Sequence, residues 1–327
     1  MIEIPYTHTE NFIAFLQDNS KNIVSCISLT TFFLTIVISF RVNQAYLRWW
    51  EARTLWGAMT NDTRDLSLKA LTHVDDAGLA IRICLWTAVA ADMLRIHLRG
   101  WKQEMGLLGK VVDSGSDAIR PDEFLEIKRA NHKVLVIFWK LARLLKRARE
   151  DGALAPLIHM HMNEHIKGFN NHMGGMERIL RCPMPIGYTC VIRTAIVCWM
   201  AVLPLGLMPI FWYAAIPIDI VVTYFVCGLE ETAAELENPF GVDPNDLPLE
   251  HFTSNIRNNI FELMSNYEEC QFGERKPRAG GRGGGMEGKD AQRAADDFLT
   301  RRAQRRYPAA AAPGDEDENL FEPRREE

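Results

Sequence analysis

NIVSCISLTTFFLTIVISF, residues 22–40, carries no charge and is bounded by Lys21 and Arg41. As a helix rising 1.5 Å per residue it covers about 28 Å, close to the hydrocarbon thickness of a bilayer. A longer charge-free run lies between Arg193 and Asp219, and a further one runs from Asp219 to Leu229. Pro204, Pro209 and Pro217 interrupt it, and a proline inside a helix frees a carbonyl and kinks or ends the helix. The spacing predicts two apolar helices, 187–208 and 211–229, forming a hairpin. The competing reading, a buried helix pair of a soluble protein, suits the run poorly, because few soluble helices are so long and so apolar.

On either side of these runs the pattern changes. Residues 41–105 have helical composition. Leu79, Ile83, Trp86, Ala90 and Met93 keep three- and four-residue spacing, with Arg82, Asp92 and Arg95 on the other side. Residues 106–121 read as a loop, 122–149 as a helix with a basic end, and 154–181 as a further helix. No strand-like alternation and no internal repeat is visible, so the expected fold is all-α. Residues 273–327 are dominated by Gly, Pro, Ala and balanced charge, a composition that forms no core. The expected organisation is a membrane and cytosolic helical domain over 1–272, then a disordered charged tail over 273–327.

Composition narrows the function. The 327 residues carry 37 basic and 42 acidic side chains, a formal charge of −5, which argues against nucleic-acid coating. Mean hydropathy is −0.11, an average that hides the two charge-free regions. Seven cysteines without a CxxC pair make no disulfide scaffold. No GxSxG, P-loop or HExxH is present. Glu230, Glu231, Glu235 and Glu237 lie close together, but without an ExxH partner they do not read as a di-metal bundle. The chain is read as a non-enzyme with no catalytic residues.

Directly after Phe40 the sequence reads RVNQAYLRWWEARTLWG, residues 41–57. Its tryptophans suit a bilayer interface, and Arg48 and Glu51, at i and i+3, are spaced to pair. This spelling resembles the signature of the bestrophin family, with Arg41, Asn43, Tyr46, Arg48, Trp49, Glu51, Arg53, Trp56 and Gly57 as its carriers. CPMPIGYT (182–189) is similar to the family's Pro-x-Pro-x-x-Tyr lead-in to its later hairpin, through Pro183, Pro185 and Tyr188. ELENPFGVDPNDLPLE (235–250) resembles the segment after the last membrane helix, through Glu235, Asn238, Pro239, Phe240 and Gly241. The resemblance is closest to the bacterial and plant-type branch and covers roughly 20–272.

The resemblance implies a homopentameric channel in a lipid bilayer. It would pass chloride and bicarbonate passively and bind no nucleic acid. The alternatives are a cation-conducting homologue, a membrane-anchored scaffold without transport, and a membrane-anchored enzyme. Three apolar residues one turn apart on the pore-lining helix form the family's neck; here they are Phe32, Ile36 and Phe40. Their i, i+4, i+8 spacing independently puts them on one helix face, although apolar stripes are more often core or lipid-facing. A charge-free constriction opposes ions by dehydration and gates by dewetting. Register against the family places its cytosolic aperture near Leu157, with Ile158 as the alternative position. His161, His165 and His172 share a face of the same helix and are vestibule candidates; they lack the further ligands of a zinc site. His159 lies alongside.

Two features depart from the family pattern. Vertebrate members hold calcium in a dense acidic cluster, where this chain has only Asp243, Asp246 and Glu250, broken by Pro244 and Pro248. A hard cation wants six to eight oxygens, so Asp243, Asp246 and Glu250 are only weak calcium candidates and no other cofactor is expected, while Asp246 is expected to cap the next helix. The family also has a membrane helix ahead of the pore-lining one, which residues 1–21 are too short and polar to supply. By resemblance the membrane is the chloroplast thylakoid, otherwise the plasma membrane.

Overall fold

The computed structural model describes residues 18–100 and 121–274. The loop expected at 106–121 lies outside them but for Pro121, and the tail at 273–327 but for its first two residues. Among the described residues there is no strand. The helices are α1 (Ser20–His73), α2 (Ala77–Arg99), α3 (Pro121–Arg129), α4 (Lys133–Glu150), α5 (Pro156–Arg181), α6 (Ile186–Phe211), α7 (Ala215–Glu237) and α8 (Leu249–Glu274), with a 3₁₀ turn at Trp212–Ala214. Among the described residues, three stretches are long and apolar enough to cross a membrane: Lys21–His73, Ala77–Arg99 and Ile186–Glu237. The chain forms two compact units.

Of the described residues, the first unit holds 18–58 and His172–Leu249. The apolar run and the motif after it are one continuous helix, since α1 spans 54 residues without a break. The charges from Arg41 onward mark a change of surroundings, not a helix end. Leu34 and Ile38 are buried against Ile192 and Ile196 of α6, with Val37, Val42, Trp199, Met200 and Val226 around them. Trp199 Nε1 donates to Thr31 Oγ1 at 3.1 Å. Gly206 of α6 faces Ile27 so closely that a Cβ there would collide with the Ile27 side chain. Small residues at such crossings let membrane helices approach.

The expected hairpin is present, with shifted bounds. Pro204 and Pro209 lie inside α6 and do not end it, because neighbouring helices and local adjustment satisfy freed carbonyls in apolar hairpins. The turn falls at Trp212, whose φ of 49° is unusual for a bulky residue. Pro217 sits in the first turn of α7, where its missing N–H costs nothing. α7 continues eight residues past Leu229, to Glu237, through the good helix formers of EETAAELE.

Of the described residues, the second unit holds 59–100, 121–171 and 250–274. Its α2 begins where Asp76 Oδ1 accepts from Gly78 N at 2.9 Å and Leu79 N at 3.2 Å. It ends at Gly100, whose φ of 93° suits a residue without Cβ. α2 is buried on nearly all sides, not amphipathic as its charges suggested. Asp92 and Arg95 are 3% and 6% exposed. Arg257 of α8 explains the first: its Nη2 donates to both Asp92 oxygens, at 2.8 and 2.9 Å. Arg82 pairs with Glu123 at 2.7 Å. α2 packs chiefly on α4, whose Val134, Ile137, Phe138, Leu141 and Leu145 are buried. The single helix expected over 122–149 is two, because His132 accepts at Nδ1 from Leu135 N (3.3 Å) and starts α4 afresh.

Candidate functional site

The apolar stripe expected from spacing has a definite position on α1. Leu34, Ile38, Arg41 and Ala45 form the buried face. Phe32, Ile36 and Phe40 are 62%, 39% and 58% exposed. At 100° per residue they lie on the opposite side of the helix from Leu34 and Ile38. Thr35 and Ser39, beside them, are also exposed, and the Thr35 hydroxyl is tied to Thr31 O at 2.8 Å. Among the described residues, the buried contacts of this stretch of α1 all lie on the Leu34 and Ile38 side.

One residue past Phe40 the surroundings invert. Arg41 is fully buried. Its Nη1 donates to Glu237 Oε2 at 3.0 Å and points to Met184 Sδ at 2.8 Å. Its Nε lies 3.6 Å from Glu230 Oε2. Glu237 Oε1 accepts from Met184 N at 2.8 Å, and Arg193 Nε donates to Glu230 Oε1 at 3.0 Å. Two arginines and two glutamates therefore form one connected set, which draws together the base of the apolar stripe, the lead-in to α6 and the last turns of α7. A buried guanidinium requires such partners.

Two turns on, Arg48 reads backbone. It donates to Ile179 O (2.6 Å), Cys182 O (2.8 Å) and Glu237 O (3.3 Å). These are carbonyls at or just past the ends of α5 and α7, which helices leave unpaired and at the negative end of their dipoles. The expected Arg48–Glu51 pair does not form: Glu51 pairs with Arg178 instead. Trp49 Nε1 donates to Asn245 O at 3.0 Å. Tyr46 stacks with Trp49 and Trp50 at 6.2 and 6.4 Å between ring centroids. Trp56 is fully buried, a core residue and not an interfacial one. Gly57 leaves room beside Arg53, while Asn43 is exposed.

The other two motifs meet this one. Pro183, Pro185 and Tyr188 are exposed at the start of α6, where Pro185 is the N-cap. After α7, Pro239 and Phe240 are buried and Asn238 is exposed. Asp246 Oδ2 accepts from Asp243 N at 2.8 Å, closing this turn on itself. A Cβ on Gly241 would lie 2.5 Å from that oxygen, so any larger residue there would push the Asp246 carboxylate aside. Glu235 Oε2 accepts from Asn245 Nδ2 at 2.6 Å. Glu250, in the second unit, is paired with Arg99, Nη2 to Oε2 at 2.9 Å. Asp246 and Glu250 thus have protein partners that compete with calcium.

The aperture and vestibule candidates are less uniform. On α5, Leu157 is 65% exposed and Ile158 half-buried. His161 is exposed, whereas His165 is held on both ring nitrogens: Nδ1 lies 3.0 Å from Asp62 and Nε2 2.5 Å from Lys69. Both contacts are satisfied by the tautomer with the proton on Nδ1. His172, in the first unit, is half-buried. His159 has its pKa lowered, first by desolvation and then by Arg149. Local spacing does not mark Met184 and the glutamates of α7 as partners of Arg41. Their signal is the i, i+7 spacing of Glu230 and Glu237 on a helix that ends beside the third motif.

The family profile described as Bacterial/Fungal Bestrophin protein matches residues 7–262. A voltage-dependent anion channel-forming protein of Nostoc sp. is 28% identical over 238 residues, 71% of this chain and 75% of that protein. One from Ralstonia nicotianae is 26% identical over 247 residues, 72% and 76% of the two chains. A crystal structure of a bacterial bestrophin homolog from Klebsiella pneumoniae has the same fold, with a TM-score of 0.67. It is 21% identical, and the match covers 77% of this chain and 97% of that one.

Proposed function

The chain belongs to the bacterial/fungal bestrophin family, and from that premise we propose that it is an integral membrane channel for small anions, chloride and bicarbonate among them, assembled as a homopentamer. Phe32, Ile36 and Phe40 of each copy line the neck, and Leu157, with Ile158, narrows the cytosolic end. The observation that supports this most directly is the exposed apolar row on α1. It lies opposite the face that α6 covers and ends one residue before a buried arginine. Such a ring of oily side chains leaves ions to cross partly dehydrated and holds none of them tightly. Phe ring edges, carrying partial positive charge, favour anions without a fixed cation. The relatives named as anion channel-forming proteins support the sign of the transported ion.

The test is transport by the purified chain. A detergent-stable pentamer that dissipates chloride or bicarbonate gradients in liposomes supports the reading. A monomer without flux rejects it. Reversal potentials that track potassium instead of chloride would move the protein to a cation-conducting branch.

A further inference from the structure

The charge set around Arg41 adds a second element to the neck, and its role rests on the channel reading. Arg41 is fully buried, and it lies on the side of α1 away from Phe32, Ile36 and Phe40. Its charge therefore sits about one helix diameter, roughly 10 Å, from the apolar row. Across protein of low dielectric a fixed charge at that range is felt strongly, and salt screens it poorly because it is buried. In the set as folded, Arg41 and Arg193 are balanced by Glu230 and Glu237. Arg41, Arg193, Glu230 and Glu237 are exposed by 0%, 53%, 12% and 18%, so the two glutamates and Arg41 form the sheltered part. Glu231 is exposed, and Glu235 is engaged by Asn245 instead.

We infer that Glu237 and Glu230 are specificity-determining residues: by compensating Arg41 they set the potential at the base of the neck and so the preference between anions and cations. An apolar ring has no charge of its own with which to choose, so small imbalances just behind it decide the sign. Removing one glutamate leaves a net positive charge in every copy and raises the anion preference. Removing Arg41 leaves two carboxylates against Arg193 alone, a net negative charge in every copy, and lowers or reverses it. The same contacts carry the neck's position, because Glu237 bonds Arg41 through one oxygen and the Met184 amide through the other. A purely architectural role for Glu237 would reduce the yield of assembled channels and leave the selectivity of each one unchanged.

The test is the chloride-to-potassium permeability ratio of full-length protein in planar bilayers under a KCl gradient. Glu237→Gln keeps an oxygen for Met184 N and is expected to raise the ratio on the order of three- to tenfold. Glu230→Gln, which leaves the Arg41–Glu237 bond in place, shifts it in the same direction. Arg41→Gln shifts it the opposite way, and Arg41→Gln with Glu237→Gln returns it to within about twofold of the unaltered protein. Should Arg41→Gln fail to assemble, the two glutamate variants and the double variant still decide. Ratios unmoved in Glu237→Gln and Glu230→Gln, or shifts of one sign whichever charge is removed, overturn the inference. An unaltered protein that carries no current fails the channel reading itself, a distinguishable result.

Discussion

Arg257 holds Asp92 with one nitrogen shared between both carboxylate oxygens, at 2.8 and 2.9 Å, across 165 residues of sequence. Asp92 lies in α2, 3% exposed, with Arg95 also buried nearby. Breaking one side of such a pair strands the other charge. Asp92→Asn is therefore expected to destabilise the protein by about 3 kcal/mol, the low end of the range for buried pairs because Arg257 retains some solvent contact. Thermal unfolding in detergent measures it. Replacing both partners, Asp92→Leu with Arg257→Met, should recover most of the loss, since an apolar pair carries no desolvation cost.

Arg48 satisfies carbonyls at the ends of two helices with one planar group. A lysine keeps the charge but cannot present that fork. Arg48→Lys should cost about 2 kcal/mol, chiefly from carbonyls left without a donor. The measurable result is a lower unfolding temperature at unchanged net charge. An unchanged temperature would mean that water replaces the lost bonds freely.

These two arginines also show how far the sequence could be read. The charge-free run at 22–40 and the proline-broken run after Arg193 point to membrane helices, because bilayer thickness translates directly into a count of apolar residues. Arg41 and Arg48 are legible as members of a family spelling, but their partners are not. Cys182, Met184 and Glu237 are brought to α1 by the path of the chain, which local spacing does not encode. The same limit explains Asp92. A charge on an amphipathic pattern reads as solvent-facing until a cation from a distant helix is placed against it. It explains α1 as well: charges after Phe40 suggest a helix leaving the bilayer, yet Arg41, Arg48 and Glu51 all find partners and the helix continues to His73. At 130–132 local spacing continues smoothly, and only the His132 cap divides the helix.

His159 supplies a pH dependence with a definite sign. Its pKa is lowered in the folded chain, by desolvation and by Arg149, so the unfolded chain binds the proton more readily. Stability is then full above the unfolded value near 6.5 and falls as pH drops below it, levelling off under the folded pKa. His159→Gln should reduce the difference in unfolding temperature between about pH 7.5 and pH 5. A difference of unchanged size would assign the effect to other groups.

The neck makes the most direct prediction for transport. Phe32, Ile36 and Phe40 project from the exposed side of α1, opposite Leu34 and Ile38, so among the described residues truncating them removes less packing than truncating the buried face. Replacing all three by alanine should widen the constriction, lower the dewetting barrier and raise unitary conductance several-fold. Packing residues on the opposite face provide the control. Leu34→Ala and Ile38→Ala open cavities against Ile192 and Ile196, at about 2–5 kcal/mol each for a buried Leu or Ile. They should lower stability and channel yield while leaving the conductance of surviving channels close to normal. Conductance that responds to the buried face and ignores the exposed one would put the ion path on the other side of α1.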